Sequence, residues 1–469
     1  MKNGTNEGAP PPLIGGVIAD QKHYIDNLFT DIWKTLKYNA RIMAAGFTKR
    51  SEIYNGSRFS IAALEVDQCV VDSDVFRKSH RDVLAGEKRH DVTDFPKKLT
   101  HIEPAHKSKF PGSDLKIRME NKAHAQEPPL EWPADGLESV PNCPVCGAST
   151  RELLHKELTD QIFFCAPGKW NMYRCESCAS AYLDPRPNHE TIGLAYQHYF
   201  THDKVPDYKS LGFPGKIRRR VANGYRNRHF GTRDYPASRL GSFAASLMPN
   251  VRALIDANMR HLTGDHTNNR LLDVGCGNGG FLLRARSAGW DVVGVDPDPK
   301  AVEAACNQNL DVRPGGVEAL DPSTEQFDII TLSHVIEHVH QPVKVLQACY
   351  RLLRPGGFLW IDTPNIESQG HQLFGSSWRG LEPPRHLVLF TLKSMRSALS
   401  MAGFAEVKTQ SYRPLCDSVF GASIAITESI DPYLEPRRNA PPDLVRRAEI
   451  IAKRNPERRE FITVKAWKR

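Results

Sequence analysis

The chain has 469 residues, 40% hydrophobic and 25% charged, with a formal charge of +8 and a mean hydropathy of −0.45. That length admits two or three domains, and no run approaches the ~18 apolar residues of a membrane-spanning helix. The opening Met1-Lys2-Asn3-Gly4-Thr5 lacks the charged-then-apolar pattern of a secretory signal. A cytoplasmic protein is therefore expected, and so mild a charge tolerates anionic ligands without calling for nucleic acid.

Residues 1–135 read as an extension, largely disordered. Ile25, Leu28, Phe29, Ile32 and Leu36 make one amphipathic helix, after which Lys, His, Asp and Pro dominate from His80 to Ala125. So few apolar side chains cannot offset an ordering cost of about 1–2 kcal/mol per residue. The stretches Ala45–Ser51 and Val70–Ser79 faintly resemble insertion-sequence transposases of the DDE type. The remaining acids of that type are missing, so the segment reads as a fused remnant without transposase activity.

Residues 136–190 hold four of the ten cysteines in two C-x-x-C pairs, Cys143-Pro144-Val145-Cys146 and Cys175-Glu176-Ser177-Cys178. Each pair can grip one metal from a tight turn, and two such turns close a tetrahedral thiolate site of the structural zinc type. The alternatives are redox dithiols or disulfides, which a reducing compartment without a thioredoxin-like context disfavours. Cys276, Cys306 and Cys349 are expected in the core as small hydrophobes. Cys69, Cys165 and Cys416 have no partner in sequence.

Residues 191–268 read as a helical linker or cap. Thr191–Phe200 suggests a short helix, and Gly215–Phe230 a strongly basic one with Lys216, Arg218, Arg219, Arg220, Arg226 and Arg228. The charge spreads around most of its circumference. A solvated surface helix, an anionic-substrate or nucleotide-sugar contact, and a membrane-surface contact are all open for it. Val251–Leu262 is a cleaner amphipathic helix, with Leu254, Ile255, Met259 and Leu262 on one side.

Residues 269–469 alternate strand and helix. Leu271–Val274, Val292–Val295, Ile329–Leu332 and Phe358–Ile361 are apolar runs of the buried parallel type, with Val407 and Phe461–Val464 as last strands. The segment Pro432–Arg459 reads as a helical excursion on the surface. The pattern dictates an α/β fold, a doubly wound Rossmann-like sheet with its ligand at the carboxyl ends of the strands. The first strand runs into Asp273-Val274-Gly275-Cys276-Gly277-Asn278-Gly279-Gly280, and the second ends on Asp296. Glycines let a backbone approach a ligand closely, the following helix offers free N–H groups, and an acid ending the second strand can bind both ribose hydroxyls. Gly275-x-Gly277-x-x-Gly280 also satisfies the dinucleotide fingerprint. Asp273 argues against NAD, because a pyrophosphate wants no carboxylate there, whereas S-adenosylmethionine (SAM) carries an ammonium. The Tyr-x-x-x-Lys pair of some dehydrogenases is also missing.

Downstream, Phe327-Asp328-Ile329-Ile330-Thr331-Leu332-Ser333-His334-Val335-Ile336-Glu337-His338, Leu352-Leu353-Arg354-Pro355-Gly356-Gly357 and Trp378–Leu387 follow in order. Together with the glycine turn, these motifs resemble the class I SAM-dependent methyltransferases, in the group that includes ubiquinone-biosynthesis and glycan-modifying enzymes. The second cysteine knuckle with Tyr182-Leu183-Asp184-Pro185-Arg186-Pro187 is similar to the zinc-ribbon module that precedes this methyltransferase type. The resemblance implies that Asp273, Gly275, Gly277 and Gly279 line the methionine end of SAM, and that Asp296 takes the ribose. It further implies that Val317 and Glu318 lie near adenine, that Ser333 and His334 stand beside the cofactor, and that the last strand runs antiparallel. His338 and His386 are the candidate bases, since imidazole titrates near neutral pH. Arg379 and Arg385 are candidates to hold a substrate carboxylate or phosphate.

The expected reaction is methylation, most readily at oxygen, of a small molecule or carrier-linked sugar. The rivals are a nucleic-acid methyltransferase binding through the ribbon, an NAD-dependent oxidoreductase, and a non-enzymatic binding module. Ser333-His334-Val335-Ile336 replaces the Asp/Asn-Pro-Pro-Tyr/Phe of adenine-type DNA enzymes, and no Pro-Cys pair serves a cytosine mechanism. A mere binding module would be expected to lose the cofactor glycines, and all are intact.

Overall fold

The computed structural model describes residues 131–196, 212–262, 269–433 and 437–469. The expected Ile25–Leu36 helix, the transposase-like stretches, the disorder of the extension and Cys69 lie outside these residues.

The first cysteine knuckle precedes β1 (Arg151–Leu158), which pairs antiparallel with β2 (Trp170–Cys175), and β2 with β3 (Ala181–Leu183). Both knuckles turn alike. The Gly147 N–H donates to the Cys143 carbonyl at 2.8 Å and the Ala179 N–H to the Cys175 carbonyl at 2.9 Å. The residue after each second cysteine is left-handed, Gly147 at φ 77° and Ala179 at φ 63°. Glycine accepts that conformation freely, and alanine is held there by the turn.

Three helices follow, α1 (Phe213–Phe230), α2 (Arg239–Ser246) and α3 (Pro249–Asn258). The first two meet almost backbone to backbone. A Cβ on Gly224 would sit 2.0 Å from the Ser238 carbonyl oxygen, and one on Gly241 2.8 Å from Val221.

Next come β4 (Arg270–Val274), α4 (Gly280–Ser287), β5 (Asp291–Asp296), α5 (Pro299–Cys306), β6 (Asp311–Pro314), β7 (Phe327–Ser333), α6 (Pro342–Leu352) and β8 (Leu353–Pro364). The chain continues through α7 (Gln369–Phe374), β9 (Val388–Leu389), α8 (Leu392–Met401), β10 (Glu406–Thr409), α9 (Cys416–Thr427), α10 (Pro442–Arg454) and β11 (Phe461–Trp467). Seven strands form one sheet in the order β10-β11-β8-β7-β4-β5-β6. The pairs from β8 to β6 are parallel, whereas β11 runs antiparallel to β8 and β10. The apolar runs are continuous because helices cover both faces, and Leu271, Leu272, Ile330, Leu359, Ile361 and Val464 are fully buried. Strand β6 escaped the sequence analysis because Asp311-Val312-Arg313-Pro314 is an edge with only Val312 buried. The Pro432–Arg459 excursion contains α10, which buries Ala448 and Ala452 and leaves its charged face to solvent.

One expectation needs correction. Cys306 is exposed, not a core residue: α5 turns Ala301 and Ala305 inward, and Cys306 lies one step around the helix from that face. The ribbon sheet draws on a strand from outside residues 136–190. Its fourth strand is β9, giving the order β9-β3-β2-β1, so a methyltransferase-region segment completes it. Cys143, Cys175 and Tyr182 accordingly share one apolar core with Leu387, Val388 and the central sheet. Among the described residues no helix is long and apolar enough to cross a membrane.

Candidate functional site

Strand order reverses around β4, whose sheet neighbours are β5 on one side and β7 on the other, and the glycine turn leaves the end of β4 at that switch point. Such a crevice is where open α/β sheets bind their ligands. Gly275, Gly277 and Gly279 have φ of 68°, 56° and 79°, a region that favours glycine. Their surroundings differ. A Cβ on Gly275 would lie 2.5 Å from Val335 and one on Gly279 2.3 Å from Leu310, whereas one on Gly277 would meet nothing within 4 Å. Gly275 and Gly279 are glycine for packing, and Gly277 leaves open space on the outer side of the turn.

Two acids stand at the carboxyl ends of β4 and β5. Asp296 accepts from the Gly277 N–H at 2.8 Å and from the Asp298 N–H at 2.9 Å. Burial raises its pKa and those two N–H groups partly oppose the rise. A carboxylate has about four acceptor positions, so capacity remains for further donors. Asp273 is fully buried, its Oδ1 held by Arg260 and by the Thr331 hydroxyl at 3.0 Å, while its Oδ2 has no hydrogen-bond partner. Arg260 also donates to Thr331 at 2.7 Å and stacks on Phe281 with its guanidinium 3.8 Å from the ring centre. No sequence signal singled out Arg260, which lies 13 residues before its acid and just past α3. Glu318 follows β6, is exposed, and folds back to accept from the Gly316 N–H at 3.1 Å. Ser333 ends β7, and His334 follows in a left-handed conformation at φ 55°.

A cleft opens beside this rim, lined by His334, His338, Trp378, Arg379, Glu382, His386, Arg413 and Glu460 among others. The structure thus brings together two candidate bases from segments almost 50 residues apart, with ring centres 4.8 Å from each other. The His386 Nδ1 donates to the Gly380 carbonyl at 2.8 Å, which leaves Nε2 as the unprotonated nitrogen. Burial pushes the His386 pKa down to about 4. The His338 Nδ1 lies 3.0 Å from the Arg385 carbonyl and 2.9 Å from the Tyr196 hydroxyl. Three buried carboxylates surround the pair. Burial would raise Glu337, but His334 at 3.3 Å pulls it down to about 2. Glu382 likewise resists burial, held below the carboxylate range by Arg379, His386 and Arg385. Glu460 has no such cation, accepts from the Gly370 N–H at 2.7 Å and the Trp378 indole at 3.1 Å, and is pushed up to about 7 by burial. Sequence reading missed these acids because their charges are legible only once their partners are placed.

The two arginines diverge from expectation. Arg385 is fully buried and cannot meet a substrate: it binds Asp160 at 2.5 Å and Glu382 at 3.1 Å, tying the loop after β1 to the cleft. Arg379 does line the cleft, but it is engaged by Glu382 at 2.6 Å and by the Tyr433 hydroxyl.

On the ribbon, Cys143, Cys146, Cys175 and Cys178 form one group, with Sγ atoms of the four within 4.8 Å of one another. The closest pairs are Cys143–Cys178 at 3.6 Å and Cys146–Cys175 at 3.5 Å, far beyond a disulfide bond. Tetrahedral zinc with Zn–S of about 2.3 Å sets sulfurs about 3.8 Å apart, so the donor set fits that ion.

A family model described as a methyltransferase domain matches residues 243–409. The ubiquinone biosynthesis O-methyltransferase of Cereibacter sphaeroides (strain ATCC 17029 / ATH 2.4.9) is 34% identical over 117 residues, 23% of this chain and 47% of that protein. The mitochondrial ubiquinone biosynthesis O-methyltransferase of Mus musculus is 38% identical over 127 residues, 24% of this chain and 34% of its own length. The chain therefore spans about half or less of the length of these curated relatives. A crystal structure of a SAM-dependent methyltransferase from Archaeoglobus fulgidus is 20% identical, covering 48% of this chain and 98% of that one at a TM-score of 0.32.

Proposed function

We propose that this chain, which carries a class I SAM-dependent methyltransferase domain, methylates a hydroxyl of a small-molecule or carrier-linked sugar acceptor. The observation that carries the reading is the glycine turn at the switch point, open at Gly277 and packed at Gly275 against Val335, the neighbour in sequence of the cleft's His334. Bound SAM supplies an electrophilic methyl on a sulfonium. The chain's residues have to hold, align and deprotonate. Gly275, Gly277 and Gly279 line the methionine end of SAM, Asp296 accepts from the ribose hydroxyls, Glu318 from the adenine amine, and Ser333 and His334 flank the cofactor. Asp273 acts through Arg260 and its unpartnered Oδ2. The His386 Nε2 takes the acceptor proton, with His338 beside it. Oxygen as the acceptor atom accords with the named activity of the relatives, and a sugar accords with the Glu382 and Glu460 carboxylates in the cleft lining.

Calorimetry tests the cofactor assignment. Titration with SAM or S-adenosylhomocysteine is expected to give saturable binding and titration with NAD none; the reverse pattern would overturn the assignment. Asp296→Ala should weaken SAM binding by about 1–3 kcal/mol, the range for hydrogen bonds to a charged group.

We assign Cys143, Cys146, Cys175 and Cys178 to one structural zinc, since four thiolates leave no open coordination position. Elemental analysis of protein purified without chelator should find one zinc per chain. Cys175→Ser should lower zinc content and the unfolding midpoint together, because metal binding and local folding are coupled. An unchanged midpoint in metal-free protein would remove the assignment. In this reading residues 136–190 act as a scaffold and 191–268 as a cap. A cytosolic setting accords with a methyl donor that is a cytosolic metabolite.

A further inference from the structure

The basic helix singled out in the sequence has no part in the proposed reaction, and its surroundings show an unusual surface. Along α2, Leu240, Phe243 and Leu247 are 85%, 60% and 67% exposed. They recur at i, i+3 and i+7, one stripe opposite the buried Gly241, Ser242 and Ala245. On α1, Phe213 and Ile217 are 75% and 38% exposed at i and i+4. The two helices run antiparallel, pinned where Val221 meets Gly241 and Gly224 meets Ser238. That pairing puts the Ile217 end of α1 alongside the C-terminal half of α2. Residues 212–247 also carry eight Lys and Arg against one acid, Asp234, which is paired with Arg226 at 2.7 Å. Arg220, Arg228, Arg233 and Arg239 are exposed.

We propose that the α1–α2 hairpin docks this chain on an anionic lipid bilayer surface, its apolar stripe entering the acyl boundary and its arginines facing lipid phosphates. An exposed apolar patch accompanied by the exposed Arg220, Arg228, Arg233 and Arg239 matches the two layers of such a surface. A second copy of this chain fits poorly, since facing hairpins would set like charges against each other. Nucleic acid would use the arginines and leave five large apolar side chains in water. The proposal does not depend on methyl transfer.

The test is co-sedimentation of the full chain with vesicles containing phosphatidylglycerol or of phosphatidylcholine alone, at low and high salt. Wild type should partition at least about ten-fold better onto the anionic vesicles, and the preference should shrink with salt. The exposed-residue variant Leu240→Ser/Phe243→Ser/Leu247→Ser should lose about ten-fold or more in partitioning while keeping its unfolding midpoint and zinc content. Should that variant fail to fold, Phe243→Trp still reports, by a blue shift of its fluorescence on anionic vesicles. Equal partition onto both lipids, no partition, no shift, or an unaffected triple variant would overturn the proposal. So would a concentration-dependent dimer abolished by the triple variant, which would assign the face to a second copy.

Discussion

Replacing Arg385 with alanine is expected to destabilise the protein by about 3–5 kcal/mol, the cost of breaking a buried ion pair by removing one partner. The substitution leaves Asp160 and Glu382 without the cation that both touch, in a place no water reaches. Asp160 also accepts from the N–H groups of Phe163, Cys165 and Ala166 at 3.1 Å, so its loop should loosen as well. Urea unfolding measures the effect, and a change under about 1 kcal/mol would show that the cluster contributes little to stability. The pH dependence has a definite sign. Burial would raise Asp160, but the Arg385 charge more than offsets it and holds the pKa below the ordinary value; Glu382 is depressed chiefly by Arg379, with His386 and Arg385 adding to it. A carboxylate with a depressed folded pKa contributes stability that is complete above its unfolded pKa of about 4 and lost as pH falls further. Wild type should therefore weaken below about pH 4, and Arg385→Ala should weaken less steeply there because Asp160 no longer has the Arg385 charge to hold its pKa down.

The second large effect is on turnover. His386→Gln should lower kcat by about 10²–10⁴, the range for a positioned general base, with little change in SAM affinity. Glutamine keeps a group that donates to the Gly380 carbonyl and removes the basic nitrogen. A histidine of ordinary pKa near 6.5 would be half protonated at that pH. Burial lowers His386 to about 4, so its basic form persists through the mildly acidic range. The acid limb of kcat/KM in the wild type is therefore expected near pH 4 to 5, and it should vanish in the variant. If His386→Gln retains turnover and His338→Gln does not, the base is His338, and His386 is a positioning residue whose loss should move the pH profile without abolishing it.

The sequence by itself determined the central sheet. Strands buried on both faces must be continuously apolar, so Leu271–Val274, Val292–Val295, Ile329–Leu332 and Phe358–Ile361 announce themselves without a partner. Glycines that need positive φ and a four-cysteine donor set are equally local, because backbone sterics and thiolate chemistry act within a few residues. Short edge strands leave only a faint trace: Asp311–Pro314 buries a single residue, and Val388–Leu389, though buried, is two residues long and shows no sign of pairing with the ribbon. Only the tertiary structure decided what each charge does. Arg385 and Arg379 are alike in sequence, yet one is sealed between Asp160 and Glu382 while the other borders the cleft. Asp273 stands at the expected strand end, and its counter-charge Arg260 reaches it from beyond α3. Coulomb energy and burial depend on distance through space, so a charged side chain's role is settled only when chain folding places its counter-charge and removes the water between them.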